Sequence, residues 1–376
     1  MITIPDGSEI VIKITDVKTS KINLRKSGFD LRVFPAQESE VKSEQTEKPT
    51  FKIDHKLYKQ DRFIPTDTVT FELAGISRGK QLANIFIYPV RYNPAKGELE
   101  IITSMKVDVL FTDTGDEKAT GQAVPYLLPV TKGILNYNPD EVVPGYTEDP
   151  VKYIILTDTA FRKQISPFVK WKTLKGFDVT VLYKGADFAW NDNTALKSTL
   201  SNIYNNSLIS NTPPEYLLII GDVNRIPHAG TSTATDTYYG EYDGNNDYMP
   251  ELFIGRIPAA DTNQVKNTLG KIIQYENFEF ADTNDFYARS IITAGYDATY
   301  ADFINGQVRY GKETYLNLSN NIDGRPFYYF PERLLLGANK AHRDSLISII
   351  DEGASFINYT GHGLVQKWMN IEFDTA

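Results

Sequence analysis

Cysteine is absent from all 376 residues. That excludes disulfides, thiolate metal sites and a cysteine nucleophile within them. Positive charge is in deficit: 39 Lys and Arg against 48 Asp and Glu leave a net charge of −9. With no basic stripe either, the chain is not read as a nucleic-acid binder. A run of about 18 apolar residues, the length a spanning helix needs, occurs nowhere, so no membrane span is expected. Met1-Ile2-Thr3-Ile4-Pro5-Asp6-Gly7 lacks the basic start and apolar stretch of a signal peptide. The sequence has no Gly-rich phosphate loop, no HExxH and no GxSxG. It also has no repeat of fixed period.

What is there belongs to a globular chain, 41% hydrophobic and 23% charged. Its length is too great for one ordinary core and implies two or three domains. Twenty-three tyrosines and 20 phenylalanines favour β-rich structure.

Residues 1–112 read as an all-β unit. Period-2 alternation runs through Glu9–Ile14 and Lys106–Phe111. Asn93-Pro94-Ala95-Lys96-Gly97 is turn chemistry and predicts a hairpin. Residues 36–49 are polar and charged and predict an exposed loop. Residues 113–150 carry no periodicity but several prolines, and read as a linker wrapped over the next domain.

From Lys152 strands alternate with helices, which argues a mostly parallel sheet. Strands are expected at Tyr153–Leu156, Asp178–Tyr183, Tyr216–Ile220 and Glu251–Arg256. Helices are expected at 161–175, 194–206 and, capped by Asp261, up to about Phe278. Pro167 is an obstacle that moves the first helix start toward Ser166. Gly176 suits the position just past its end. A second α/β series begins at Arg289, with strands at 290–294 and 327–330 and helices at 300–318 and 339–351. Ser355–Tyr359 closes it as a short buried strand.

That last strand runs into Thr360-Gly361-His362-Gly363. A histidine just past the carboxyl end of a strand stands where open α/β sheets place their ligands. Its pKa suits proton transfer near neutrality, so His362 is the candidate catalytic base, with a structural histidine as the plainer reading. His55, His228 and His342 have no partner spacing. Asp222 and the loop Asp243–Glu251 offer many oxygens, either for a hard cation such as Ca²⁺ or for a solvated turn. Asp297 and Asp302 follow a strand. Either they meet a cationic group or they cap the next helix. Glu251 and Arg256, flanking one strand, read as an ion pair.

Three stretches in order carry a family resemblance: Tyr216–Pro227 (YLLIIGDVNRIP), Tyr248–Ile257 (YMPELFIGRI) and Phe356–Gly363 (FINYTGHG). Phe168–Lys172 with Lys175-Gly176, and Tyr88–Pro94 with Gly97–Leu99, add to it. Together they resemble the gingipain-type cysteine peptidases, family C25 of the caspase-like clan, over nearly the whole chain.

The resemblance implies an all-β propeptide at 1–112, a linker at 113–150 and a caspase-like α/β catalytic domain at 151–376, divided at 286/287. His362 would be the catalytic histidine. The Gly363 N–H would line the oxyanion hole. Asp302 is the nearest match to the aspartate that receives a basic substrate side chain. Arginine-cleaving members carry a glutamate near Gly295 or Tyr296. None stands there, and Asp297 is the available substitute. Asp222, Asp247 and Glu251 would hold structural Ca²⁺, with no cofactor for catalysis.

The nucleophilic cysteine would lie beyond Ala376, leaving these residues inactive by themselves. Partners would be protein or peptide substrates and the chain's own propeptide, which would cover the active-site crevice. The location would be secreted or cell-surface. Two alternatives remain: a gingipain-like processing peptidase of a bacterial secretion system, and a non-catalytic binding module on a degenerate peptidase fold.

Overall fold

The computed structural model describes residues 1–5, 7–24, 26–28, 33–37, 50–113, 133–137, 150–188, 193–208, 212–230, 235–243, 249–279, 283–295, 301–327, 340–361, 367–368 and 373–374. Its strands are β1 (Ile2–Ile4), β2 (Ser8–Asn23), β3 (Val69–Ser77), β4 (Lys80–Ile87), β5 (Val90–Asn93), β6 (Glu98–Asp113), β7 (Lys152–Asp158), β8 (Asp178–Lys184), β9 (Tyr216–Ile220), β10 (Phe253–Ile257), β11 (Arg289–Ala294), β12 (Asp323–Phe327), β13 (Phe356–Thr360), β14 (Lys367–Trp368) and β15 (Phe373–Asp374). The α-helices are α1 (Arg162–Leu174), α2 (Asn193–Leu208), α3 (Thr262–Glu276), α4 (Thr283–Ala288), α5 (Ala301–Thr314) and α6 (Lys340–Asp351). They gather into two compact units, residues 1–269 and 270–376. The division falls inside α3, earlier than the sequence suggested.

The first unit begins with antiparallel β structure. The two alternating segments pair with each other: Ile10 faces Phe111, Ile12 faces Val109 and Ile14 faces Val107 along β2 and β6. The hairpin forms, with Asn93 opposite Glu98 across β5 and β6. Lys96 N–H donates to Asn93 Oδ1 inside the turn, and Gly97 closes it at φ +62°, a region open to glycine. A second sheet, in order β1-β4-β3, packs Ile2, Ile4 and Ala83 against Ile10 of the first.

Residues 133–137 belong with this β structure. Thr3 N–H donates to Asn136 Oδ1, Asn136 Nδ2 returns a bond to Thr3 O, and Leu135 N–H donates to Met1 O. They cover the open edge of β1 with backbone partners it would otherwise lack. The described part of the expected linker is thus tied to the N-terminal strands. Residues 114–132 and 138–149, and most of 36–49, lie outside the described residues.

The α/β half of the first unit is a parallel sheet in order β10-β9-β7-β8. Its central strands are continuous apolar runs because both faces are covered. Ile154, Ile155, Leu156, Leu217, Ile219 and Ile220 are all buried. One face packs against Leu196, Leu200 and Tyr204 of α2.

Helix α1 starts at Arg162 and runs through Pro167. Pro167 costs one N–H bond, but burial of Phe161, Ile165 and Phe168 fixes the helix regardless, as tertiary packing usually does. It ends in a Schellman turn, with Gly176 at φ +96°. Phe177 N–H donates to Lys172 O and Gly176 N–H to Thr173 O. Asp261 caps α3: its Oδ1 accepts from Asn263 and Gln264 N–H.

The second unit holds a smaller parallel sheet, β12-β11-β13, with Ile291 and Leu346 buried beside it. Here the expectation of a buried final strand fails. β13 has β11 as its one partner among the described residues, and Phe356 is 50% and Ile357 37% exposed. Its apolar residues fit a covered strand, but its position in the sheet is an edge.

Removing the α3 cap should cost about 1 kcal/mol. Asp261→Ala is expected to lower the urea midpoint with an unchanged m-value; no loss would mean that the cap is redundant.

Candidate functional site

Parallel strands give a sheet two unlike edges, and ligands favour the carboxyl one. In the first unit that edge is held by three buried or half-buried charges. Asp158 ends β7 and Lys184 ends β8. Lys184 Nζ lies 3.4 Å from Asp158 Oδ2 and donates to Arg225 O at 2.5 Å. Arg225 comes from the turn after β9. Its guanidinium sits 3.3 Å from Asp158, donates to Ala260 O and covers the Phe161 ring. Burial alone would raise the Asp158 pKa. The Ala160 N–H, Lys184 and Arg225 outweigh it and hold the carboxyl below the ordinary range. Burial lowers the pKa of Lys184, opposed in part by Asp158.

Arg256, in β10, fastens the same edge from the other side. Nε and Nη2 donate to the two carboxylate oxygens of Asp236, each at 2.7 Å. Nη1 donates to Gly221 O and Ile226 O. Tyr239 completes the hold, its hydroxyl donating to Pro227 O, and burial pushes its pKa up to about 12. The turn 221–227 is therefore tied down at several points. Arg256 pairs with Asp236 and not with Glu251, so the expected ion pair across β10 is not formed.

Asp222 stands in this turn, past the carboxyl end of β9. Its Oδ1 accepts from Val223 N–H and its N–H donates to Ala259 O. Glu251 stands before the amino end of β10, where its Oε2 accepts from Tyr242 N–H. β9 and β10 run parallel in register from Tyr216 and Phe253 to Ile220 and Ile257. The two carboxylates are therefore separated by at least one strand length, roughly 16 Å at about 3.3 Å per residue. They do not fit one cation site. Asp247 lies outside the described residues, and no group of three metal-ligating side chains occurs among the described ones.

In the second unit the corresponding edge is formed by β11 and β13. Their ladder runs from Ser290 and Phe356 to Ala294 and Thr360, and continues as Gly295 N–H donates to Thr360 O at 2.8 Å. Gly361 follows. A Cβ there would meet the Tyr359 hydroxyl and stand 3.1 Å from Gly295 N, so a larger residue would have to displace the Tyr359 side chain. Tyr359 stacks on Trp368 at 4.5 Å with rings nearly parallel. His362, Gly363 and Asp297 lie outside the described residues. Asp302 is exposed in the first turn of α5, after the carboxyl end of β11. That position suits the helix dipole and also the edge where a ligand would sit.

Sequence reasoning missed Asp158, Lys184, Arg225 and the Arg256–Asp236 pair. A lysine ending an apolar strand was the one visible signal. The partners are far apart in sequence.

Comparison with known proteins fits this frame. The profile of Peptidase family C25 matches residues 146–376, and Propeptide_C25 matches residues 1–141. The chain belongs to peptidase family C25. The propeptide match extends beyond residue 112 and takes in 133–137, in keeping with their pairing to β1.

Among curated relatives, Lys-gingipain HG66 of Porphyromonas gingivalis is 26% identical over 98% of the chain and 21% of its own length. Gingipain R2 of the same species is 22% identical over 97% of the chain and 49% of its own length. The chain thus spans about a fifth of the first relative and about half of the second. A solved structure described as a protease is 25% identical, with a TM-score of 0.51 over 60% of this chain and 48% of that one. The Arg-specific cysteine proteinase gingipain R gives 0.51 over 62% and 52%, at 21% identity, which speaks for the fold.

Two outcomes follow from the charges of the first unit. Because the Asp158 pKa is depressed in the folded chain, its contribution is full above the ordinary carboxyl pKa of about 4 and is lost as pH falls through the folded value. Unfolding free energies measured from pH 7 to pH 3 should therefore fall less steeply in Asp158→Asn than in the parent. Arg256→Ala leaves the half-buried Asp236 without its partner and should cost about 1.5 kcal/mol, as for a hydrogen-bonded charged group. A loss below about 0.5 kcal/mol in urea unfolding would contradict the role given to Arg256.

Proposed function

We propose that these residues carry the propeptide and the histidine-bearing part of a cysteine endopeptidase. The observation that carries the reading is the order of the two family matches, which together leave only residues 142–145 uncovered. The β11–β13 ladder supports it, because it ends at Thr360, two residues before His362 in sequence.

In this reading the imidazole of His362 takes the proton of a cysteine thiol. The thiolate attacks the scissile carbonyl, and the histidine returns a proton to the leaving amine. The Gly363 N–H donates to the oxygen that becomes negative. Asp302 receives a cationic side chain before the scissile bond. The names Lys-gingipain and Arg-specific gingipain R speak for a basic residue there. Export to the cell surface or beyond belongs to the same reading. Since the 376 residues hold no cysteine, the thiol comes from sequence outside them. The same lack would suit a binding module on this fold, so the thiol is what must be tested.

The 376 residues should cleave no Lys or Arg peptide substrate above a His362→Ala control. The product of the extended gene, if it supplies a cysteine after the next strand, should cleave them. Replacing that cysteine with alanine should reduce kcat by about six orders of magnitude. A fully active alanine variant would end the proposal.

A further inference from the structure

The strands β3 and β4 are joined by two residues only, Arg78 and Gly79. Both have positive φ, +52° and +75°. Such a turn matches the twist of the strands and strongly favours Asn or Gly at its first position. Arginine there costs backbone energy that asparagine would not. A strained residue held in place by its surroundings is a reason to ask what its side chain does.

The Arg78 side chain is buried, at 3% exposure. It leaves the β strands altogether and enters the α/β half. Nη1 donates to Glu251 O at 3.2 Å, and Nη2 lies 3.6 Å from Glu215 Oε1, itself 4% exposed. Next to it the Gly79 N–H donates to Asp243 Oδ2 at 2.9 Å. Glu215 immediately precedes β9 and Glu251 lies just before β10. The hairpin tip therefore docks on the amino edge of the parallel sheet, away from the carboxyl edge that bears Asp222 and Arg225. The expectation that the N-terminal strands lie over the crevice does not describe this contact.

We propose that the Arg78-Gly79 tip is the anchor that holds the N-terminal β strands on the α/β half. One guanidinium fills a buried socket lined by Glu215 and the Glu251 carbonyl, and Asp243 accepts from the turn beside it. A buried cation facing a buried carboxylate is costly to separate, since either one left alone is an unpaired charge out of water. The socket also rejects any hairpin whose tip lacks a cation, which makes the contact selective. Chain continuity between the two parts is not needed for this attachment. A cut between them should leave the β strands bound, with the carboxyl edge not obstructed by the Arg78 contact. The inference does not rest on the peptidase reading, because it concerns association and not hydrolysis.

The test uses the full chain with a specific protease site inserted between residues 141 and 146, the gap between the two family matches. After cutting, the parent should elute from size exclusion as one particle at micromolar concentration. Arg78→Ala should separate into two, with affinity weakened by at least about 30-fold, the loss typical of an interface hot spot. Arg78→Lys, which keeps the charge but not the fork, should fall between them. Circular dichroism of the uncut variants checks folding. Should Arg78→Ala fail to fold, Glu215→Gln carries the test and is expected to weaken retention in the same direction. Undiminished retention in folded Arg78→Ala, or in Glu215→Gln, would overturn the proposal.

Discussion

The first unit depends on the pairing of β7 with β9. Tyr153 to Thr157 lie in parallel register with Tyr216 to Ile220, and Ile154, Ile155, Leu156, Leu217, Ile219 and Ile220 are buried between the layers. Parallel strands need crossover connections, and these place the helices on the sheet faces. The pairing therefore fixes where α1 and α2 pack. It also fixes the polarity of the sheet, and every later difference between its two edges comes from that polarity. One edge carries the turn after β9, tied to Arg256, Asp158 and Lys184. The other carries Glu215 and Glu251, against which Arg78 is docked.

Charge is buried at both edges, and in each case several elements of the chain share it. Lys184 is within reach of Asp158 and of a carbonyl from the β9 turn. Arg256 spends its donors on a carboxylate and three backbone oxygens. A guanidinium largely withdrawn from water must find such partners or the fold loses stability. Donors that meet carbonyls in a fixed fork also specify one arrangement of the turn. The turn 221–227, which carries much of one family motif, is thus a rigid frame. In this structure the motif residues Gly221, Arg225, Ile226 and Pro227 hold shape, and they need not touch a substrate to matter.

The second unit is built differently. Among the described residues its sheet has three strands, and β13, the one that leads to His362, is at the edge with Phe356 and Ile357 exposed. Gly361 lets the Tyr359 side chain lie close over the backbone there, where a Cβ would force it aside. The stack of Tyr359 on Trp368 ties β13 to β14 beyond it. A short exposed edge strand with large apolar residues offers unpaired backbone groups to another strand. That is a physical reason to expect this edge to pair with something.

Much of the architecture could be read from local pattern. Alternation in residues 9–14 and 106–111 marked two strands, and their apolar phase was right. The Asn93–Gly97 turn, the Asp261 cap and the Gly176 stop each rest on the preference of one or two residues, so the sequence alone carried them. The family order of β motif, GD turn and GHG was legible for the same reason: it is written in consecutive residues.

What the tertiary structure decided are the facts that need distance. That Asp222 and Glu251 sit at opposite sheet edges follows from strand direction, which no single residue encodes. That Arg256 chooses Asp236 over Glu251, and that β13 is exposed, depend on which strands are neighbours. Arg78 shows it most plainly. In the sequence it is one of two residues in a turn. Only the fold brings Glu215 and Glu251 to it from far along the chain, because long-range burial, and not local propensity, sets where a charge finds its partner.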